Sequence, residues 1–257
     1  TFIGLAMPVI LTINLLILIY WIIKKKWWII IPIAAILLNS GYLASIFQVT
    51  ISSSKLPDGK IPIRIASYNA GKFKSWEHFE TQYYISEFLK NDKANIICFQ
   101  EYRENTKINA DTLSRLLNCP HHAIAYLPGS TTLGTGIFSK YPILQFGKIP
   151  LASQTNDAMW VDIQTGETRI RIISCHLQTT NFSKKRRLLD DPVLQNADIQ
   201  QVEDVVTDIS QELAQNFKIR ATQAQIVRQV IDTTRIPTIV CGDFNDTPSS
   251  YTYQYIK

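Results

Sequence analysis

Two apolar runs at the start of the chain restrict its architecture more than anything after them. Phe2 to Ile23 and Trp27 to Phe47 contain no acidic residue, and the basic residues beside them are Lys24, Lys25 and Lys26. Each run is close to the ~20 residues with which a helix crosses the hydrocarbon core of a bilayer. Both are too long and too uniformly apolar for a buried helical hairpin of a soluble protein. Tyr20, Trp21, Trp27 and Trp28 flank the lysines as an aromatic belt would. With two runs in tandem and no clear cleavage site, a pair of transmembrane helices, spanning about 2–23 and 27–47, is expected rather than a signal peptide. The positive-inside rule places the lysine loop 24–26 in the cytoplasm. The remainder of the chain would then emerge on the opposite side, outside the inner membrane in a bacterium. The first residue is Thr1, so the chain is expected to lack its true start.

Three of the five net positive charges are those lysines, so the rest of the chain is close to neutral. Charge alone therefore gives little support to nucleic-acid binding. Cys98, Cys119, Cys175 and Cys241 show no CxxC spacing and no disulfide-rich density. Three of them sit in apolar, strand-like runs, where cysteine behaves as a small hydrophobe. The length after the apolar runs suits one domain of moderate size.

Residues 48–60, with Ser52-Ser53-Ser54 and Pro57-Asp58-Gly59, read as a linker to a domain at 61–257. Ile61 to Asn69 alternates like a strand, Trp76 to Leu89 has near-helical spacing, and Ala94 to Gln100 is a second strand ending at Glu101. A helical crossover makes these strands parallel and adjacent or nearly so. A short helix at Ala110 to Leu117 and short strands at His122 to Leu127, Gly136 to Phe138, Ile143 to Ile149 and Met159 to Ile163 follow. Thr165-Gly166-Glu167 marks a hairpin turn before a strand at Arg169 to Leu177. Ile199 to Leu213 and Phe217 to Ile231 each carry an apolar stripe, which predicts two amphipathic helices. Ile236 to Cys241 is a buried strand that delivers Asp243 and Asn245 to its end. Thr247-Pro248 looks like a helix cap, and Tyr251 to Ile256 a short helix.

Asn69, Glu101, His176, and Asp243 with Asn245 thus stand at the ends of four predicted strands. Singly each has a structural reading: a turn former, a surface charge, a core histidine, an Asx turn. Together they are candidates for one polar rim at the strand ends of an α/β sheet, where ligand-binding groups collect.

Ser67-Tyr68-Asn69, Phe99-Gln100-Glu101, Gly136-Ile137-Phe138-Ser139-Lys140-Tyr141-Pro142, Ser174-Cys175-His176-Leu177 and Gly242-Asp243-Phe244-Asn245 resemble, in order, the motifs of the endonuclease/exonuclease/phosphatase superfamily. The whole is also similar to membrane-anchored bacterial members. The resemblance implies a four-layer α/β sandwich, two mixed β-sheets flanked by helices, here preceded by two transmembrane helices. It implies hydrolysis of phosphodiesters or phosphomonoesters with Mg²⁺, or Mn²⁺ in its place. By the same resemblance Glu101 would be the metal ligand and Asn69 would help hold the metal or the phosphate. Asp243 would orient or deprotonate the attacking water, Asn245 would hold the water or a phosphate oxygen, and His176 would hydrogen-bond the phosphate. The expected partners are a phosphoester (lipid headgroup, nucleic acid or small molecule) and the bilayer, with no obligate protein partner.

The alternatives are an extracytoplasmic nuclease and a catalytically inactive, membrane-tethered binding domain. Members of the superfamily end on a strand with an Asp-His pair, and nothing here fills that place before Lys257. On that reading the chain is incomplete at its C-terminus and by itself inactive. Lys184-Lys185-Arg186-Arg187, just after the His176 strand, is either a patch for anionic headgroups or a nucleic-acid backbone, or a solvated loop.

Overall fold

A computed structural model describes residues 2–46, 62–74, 81–106, 108–180 and 199–257. The predicted linker 48–60 and the basic run Lys184 to Arg187 lie outside the described residues. Thr1–Lys55 with Asp246–Lys257 form one compact unit, and Leu56–Asn245 form the other.

In the first unit α1 (Phe2–Ile23) runs for 22 residues. Its stretch Ala6–Ile23 has a mean hydropathy of 2.3 and no buried residue. Asn14 is accommodated because its amide donates to the Pro32 carbonyl at 3.2 Å. Among the described residues α1 is the one helix long and apolar enough to cross a bilayer. The second expected span is not a single helix. It consists of a 3-10 turn at Trp27–Ile29, α2 (Ile30–Leu38) and α3 (Ser40–Ile46). The break is at Asn39, with φ −97° and ψ 13°. Its side chain donates back to the Ala35 carbonyl at 2.8 Å, a contact that competes with the helix ladder. Ser40 and Gly41 follow, both weaker helix formers than the leucines before them. The nine residues of α2 rise only about 14 Å, half of a hydrocarbon core. At the other end of the chain the short helix Tyr251–Ile256 is capped by serine: Ser250 Oγ accepts the Tyr253 N–H at 3.1 Å, where the sequence pointed to Thr247.

The second unit holds β1 (Ile65–Asn69), α4 (Gln82–Asn91), β2 (Ile96–Arg103), α5 (Ala110–Leu117), β3 (His121–Tyr126), β4 (Leu133–Ser139), β5 (Ile143–Ile149), β6 (Asp157–Thr165), β7 (Thr168–His176), α6 (Ile199–Thr233) and β8 (Thr238–Asp243). They form two four-stranded mixed sheets, β1-β2-β4-β3 and β5-β6-β7-β8. β1 and β2 are parallel neighbours, as are β7 and β8. The two predicted amphipathic helices are one 35-residue helix, α6.

The apolar run of β2 reads without polar gaps because both of its faces are covered. Ile96 and Cys98 join Ile137, Met159, Val161 and Ile172 in the core between the sheets. Ile97 and Phe99 turn the other way, into a cluster with Leu89 of α4, Leu113 and Leu117 of α5, and Phe138. Alternation along the strand assigns one set to each layer. α6 buries Ala224 and Val227.

On its other face the second sheet carries a buried charge. Asp162 accepts Arg171 Nε at 2.7 Å and is also bonded by Arg169. Arg171 in turn stacks over the Trp160 ring at 4.0 Å. Burial alone would raise the Asp162 carboxyl, but the hydrogen bonds and charges of Arg171 and Arg169 outweigh it and hold the pKa below the usual carboxylate range. Removing the carboxylate strands two guanidinium groups, so Asp162→Asn is expected to cost roughly 3 kcal/mol at neutral pH. A depressed folded-state pKa contributes stability above the unfolded value of about 3.9, and that contribution is lost as pH falls through the folded value. Urea titrations at pH 7 and pH 3 should therefore show a gap between wild type and Asp162→Asn that narrows in acid.

Candidate active site

Between the sheets the core becomes polar toward the C-terminal ends of β1, β2, β7 and β8. Gln100 donates to Ser174 Oγ at 2.9 Å and to Ser67 Oγ at 3.2 Å, joining the two sheets. Thr135 of β4 donates to Asp157 of β6 at 2.8 Å, also across the gap. These contacts satisfy polar groups that would otherwise be costly to bury.

Glu101 enters the site through a break in the β2–β4 ladder. Phe99 pairs with Gly136 and Tyr102 with Gly134, so Gln100 and Glu101 oppose the single residue Thr135. Two residues against one is a β-bulge, which re-aims a side chain and often lies beside a functional site. Phe99 and Tyr102 both pack into the cluster with α4 and α5, while Gln100 turns inward. Glu101 itself has φ +48°, a left-handed conformation uncommon for a residue with a Cβ.

The Asn69 amide nitrogen lies 3.3 Å from Glu101 Oε1 and 2.9 Å from Asp243 Oδ2. One NH2 group thus joins two carboxylates from opposite sheets. Asn69 Oδ1 accepts the Gly71 N–H at 3.0 Å, an Asx turn that fixes the amide. Asp243 Oδ1 accepts the Asn245 N–H at 2.9 Å. Asn245 also has a positive φ, +50°, and its side chain donates to the Leu177 carbonyl at 2.9 Å. His176 Nε2 stands 3.7 Å from Glu101 Oε1, beyond hydrogen-bond reach but within that of an ion pair. Asn69, Glu101, His176 and Asp243 are therefore gathered at one place, and Asn245 is tied to it through Asp243.

A cleft of ≈ 420 Å³ opens here, lined by Glu101, His176, Lys72, Asn156 and Asp157 among others. Asn156 and Asp157 were not picked out in the sequence. The signal was present in the hairpin: Thr165 pairs with Thr168, and counting back along that register sets Asp157 opposite His176. Asp157 is 2% exposed. Burial pushes its carboxyl above the usual range, against the hydrogen bond from Thr135 and the nearby charges of His176 and Lys148.

The donor set suits a hard cation better than a soft one. Glu101 and Asp243 offer oxygens, and two carboxylates on one amide have a negative charge to neutralise. Among the described residues no group of three or more His, Cys, Asp or Glu forms a metal cage. Mg²⁺ does not need one, because it retains waters and binds through one or two carboxylates plus phosphate. The residues present therefore fit that ion, with Asn69 reaching the site by its nitrogen in the arrangement seen here.

A profile of the Endonuclease/Exonuclease/phosphatase family matches residues 66–257, and a domain of unknown function matches residues 1–46. No curated protein matches the chain. Similar solved structures include sphingomyelinase C from Streptomyces griseocarneus, at 16% identity and TM-score 0.48, covering 76% of this chain and 68% of that one. Beta toxin from Staphylococcus aureus is similar at 16% identity and TM-score 0.47, over 75% of this chain and 67% of that one. ANGEL2, a 2',3'-cyclic phosphatase, is similar at 18% identity and TM-score 0.48, over 75% and 55%. The family match runs from the second residue of β1 through both sheets and every strand end discussed above, and the chain belongs to the endonuclease/exonuclease/phosphatase family.

Proposed function

We propose that this chain is a membrane-anchored, divalent-metal-dependent phosphoester hydrolase. The observation that carries the reading is the Asn69 amide held between Glu101 and Asp243, with His176 beside Glu101. Strand ends of both sheets converge there on oxygen and imidazole groups suited to a phosphate.

Mg²⁺, or Mn²⁺ in its place, would be held by Glu101, with the Asn69 amide helping to hold the site by fixing the Glu101 and Asp243 carboxylates, and would supply Lewis-acid stabilisation to a phosphate's non-bridging oxygens. Asp243 would orient the attacking water or accept its proton, a role supported by the Asn245 N–H that fixes its Oδ1. Asn245 holds that carboxylate and, through its side-chain amide, the turn after β7. His176 offers an N–H to a phosphate oxygen on which charge develops. The whole layout is a membrane segment at 1–47, a linker at 48–60 and a catalytic domain from 61 onward. The apolar, unburied α1 supports the bilayer as partner. With the turn at 24–26 cytoplasmic, the catalytic domain lies outside if the broken segment α2–α3 crosses as well.

The test is turnover by the intact protein on DNA, RNA, sphingomyelin, phosphatidylinositol phosphates and bis(4-nitrophenyl) phosphate, with and without chelator. At least one substrate is expected to be cleaved, with activity lost to EDTA and restored by Mg²⁺ or Mn²⁺. Cleavage confined to DNA or RNA would make the protein a nuclease. Chelator-insensitive cleavage would reject the metal, and no cleavage of any substrate would favour a tethered binding domain.

A further inference from the structure

We propose that Asp157 is the positioning residue for His176, holding its imidazole toward the cleft. The two residues are cross-strand partners in the β6–β7 ladder. Met159, Val161, Ile170 and Ile172 of the same strands face the core between the sheets. By alternation Asp157 and His176 share that face, at its polar end. Both line the cleft that contains Glu101.

Each of the two has a bonding capacity that the rest of the site leaves unused. Thr135 takes Asp157 Oδ1 at 2.8 Å and thereby fixes which oxygen remains. Asp157 Oδ2 is buried and has no hydrogen-bond partner among the described residues. Leaving a buried carboxylate oxygen unpaired is unfavourable, and native structures retain such groups where they serve a purpose. The His176 side chain is 8% exposed, and its Nε2 stands off Glu101 Oε1 at 3.7 Å, too far for a hydrogen bond. A histidine ring is oriented and its tautomer selected by the acceptor on its second nitrogen. Asp157 is the carboxylate in register to be that acceptor. A side-chain rotation of His176 that closes the pair points the opposite ring edge into the cleft, where the phosphate of the proposed reaction would lie. This assignment concerns the same site as the proposed hydrolysis and rests on that reading for its catalytic consequence, but not for the pairing.

Two measurements on the full chain separate the two. Asp157→Asn preserves size and can keep the Thr135 contact, so the fold is expected to persist. In ¹⁵N spectra of the imidazoles, His176 is expected to change tautomer balance in Asp157→Asn while His121 and His122 do not. Unchanged His176 signals would overturn the proposal whether or not the protein turns over substrate. On a substrate that wild type cleaves, Asp157→Asn is expected to lower kcat about tenfold or more with KM little altered, the loss usual for removing a partner that orients a working histidine. In a His176→Ala background the same change is expected to cost nothing further, since its effect passes through the ring. An equal loss in both backgrounds would show a general structural role and overturn the proposal. Failure of wild type to cleave any phosphoester, with the spectral change still present, would reject the hydrolase reading and keep the pairing.

Discussion

Replacing Glu101 by glutamine is expected to lower phosphoester turnover by about 10³-fold, as removal of a central electrostatic group does. Folding should be almost untouched. Glutamine can still accept from Asn69 through its side-chain oxygen, and the Glu101 side chain is 30% exposed, so no buried cavity forms. A second substitution separates function from stability. At φ +48° a residue with a Cβ is strained, and glycine is not. Glu101→Gly is therefore expected to be inactive yet as stable as wild type or about 1 kcal/mol more stable. Urea unfolding beside steady-state kinetics reads both effects. Turnover that survived either change to within about tenfold would remove Glu101 from the chemistry.

Gly242→Ala is expected to be among the most damaging single methyl groups in the second unit. Gly242 pairs with Cys175 and has φ +138°. A Cβ there would meet the Cys175 carbonyl oxygen at 2.0 Å and its nitrogen at 2.6 Å. Both are backbone atoms of a neighbouring strand, so no side chain can swing away. β8 must move off β7, and Asp243, the next residue, moves with it. The expected cost is roughly 3 kcal/mol or more, in the range reserved for changes that clash with a strained backbone. Turnover should fall even where the protein remains folded, because the Asp243–Asn69 contact would be lost. A lowered urea midpoint together with lost turnover bears this out, and a variant with wild-type stability would contradict the geometry at this position.

Of the strands carrying the site, β2 and β7 bury both faces before a polar residue, whereas β1 and β8, the latter expected as a buried strand, leave Tyr68 and Ile239 exposed. Asn69, Glu101, His176 and Asp243 interrupt apolar runs that would otherwise continue, and the structure gathers all four. The bulge at Gln100 and Glu101 could not be read, since no glycine or proline marks it and its cause lies in the pairing with β4. The two expected amphipathic helices are one because Leu213 and Phe217 are four apart and nothing between them breaks a helix. The second apolar run misled for the opposite reason. Its average hydropathy outweighed the local message of Asn39-Ser40-Gly41, where the backbone does break. Asp157 does not stand out in the sequence, because a carboxylate that opens a strand resembles a turn residue until the hairpin register is counted.

The amide of Asn69 reaches from one pleated layer to Asp243 on the other, as Gln100 reaches to Ser174 and Thr135 to Asp157. Neither half of the sandwich owns the chemistry. A newly made first half, with β1 to β4 in place, would present Glu101 and Asn69 with nothing opposite them, and would be inert. On the proposed function, competence would arrive only when the two halves dock, and the protein would not act on a phosphate before its own assembly is finished.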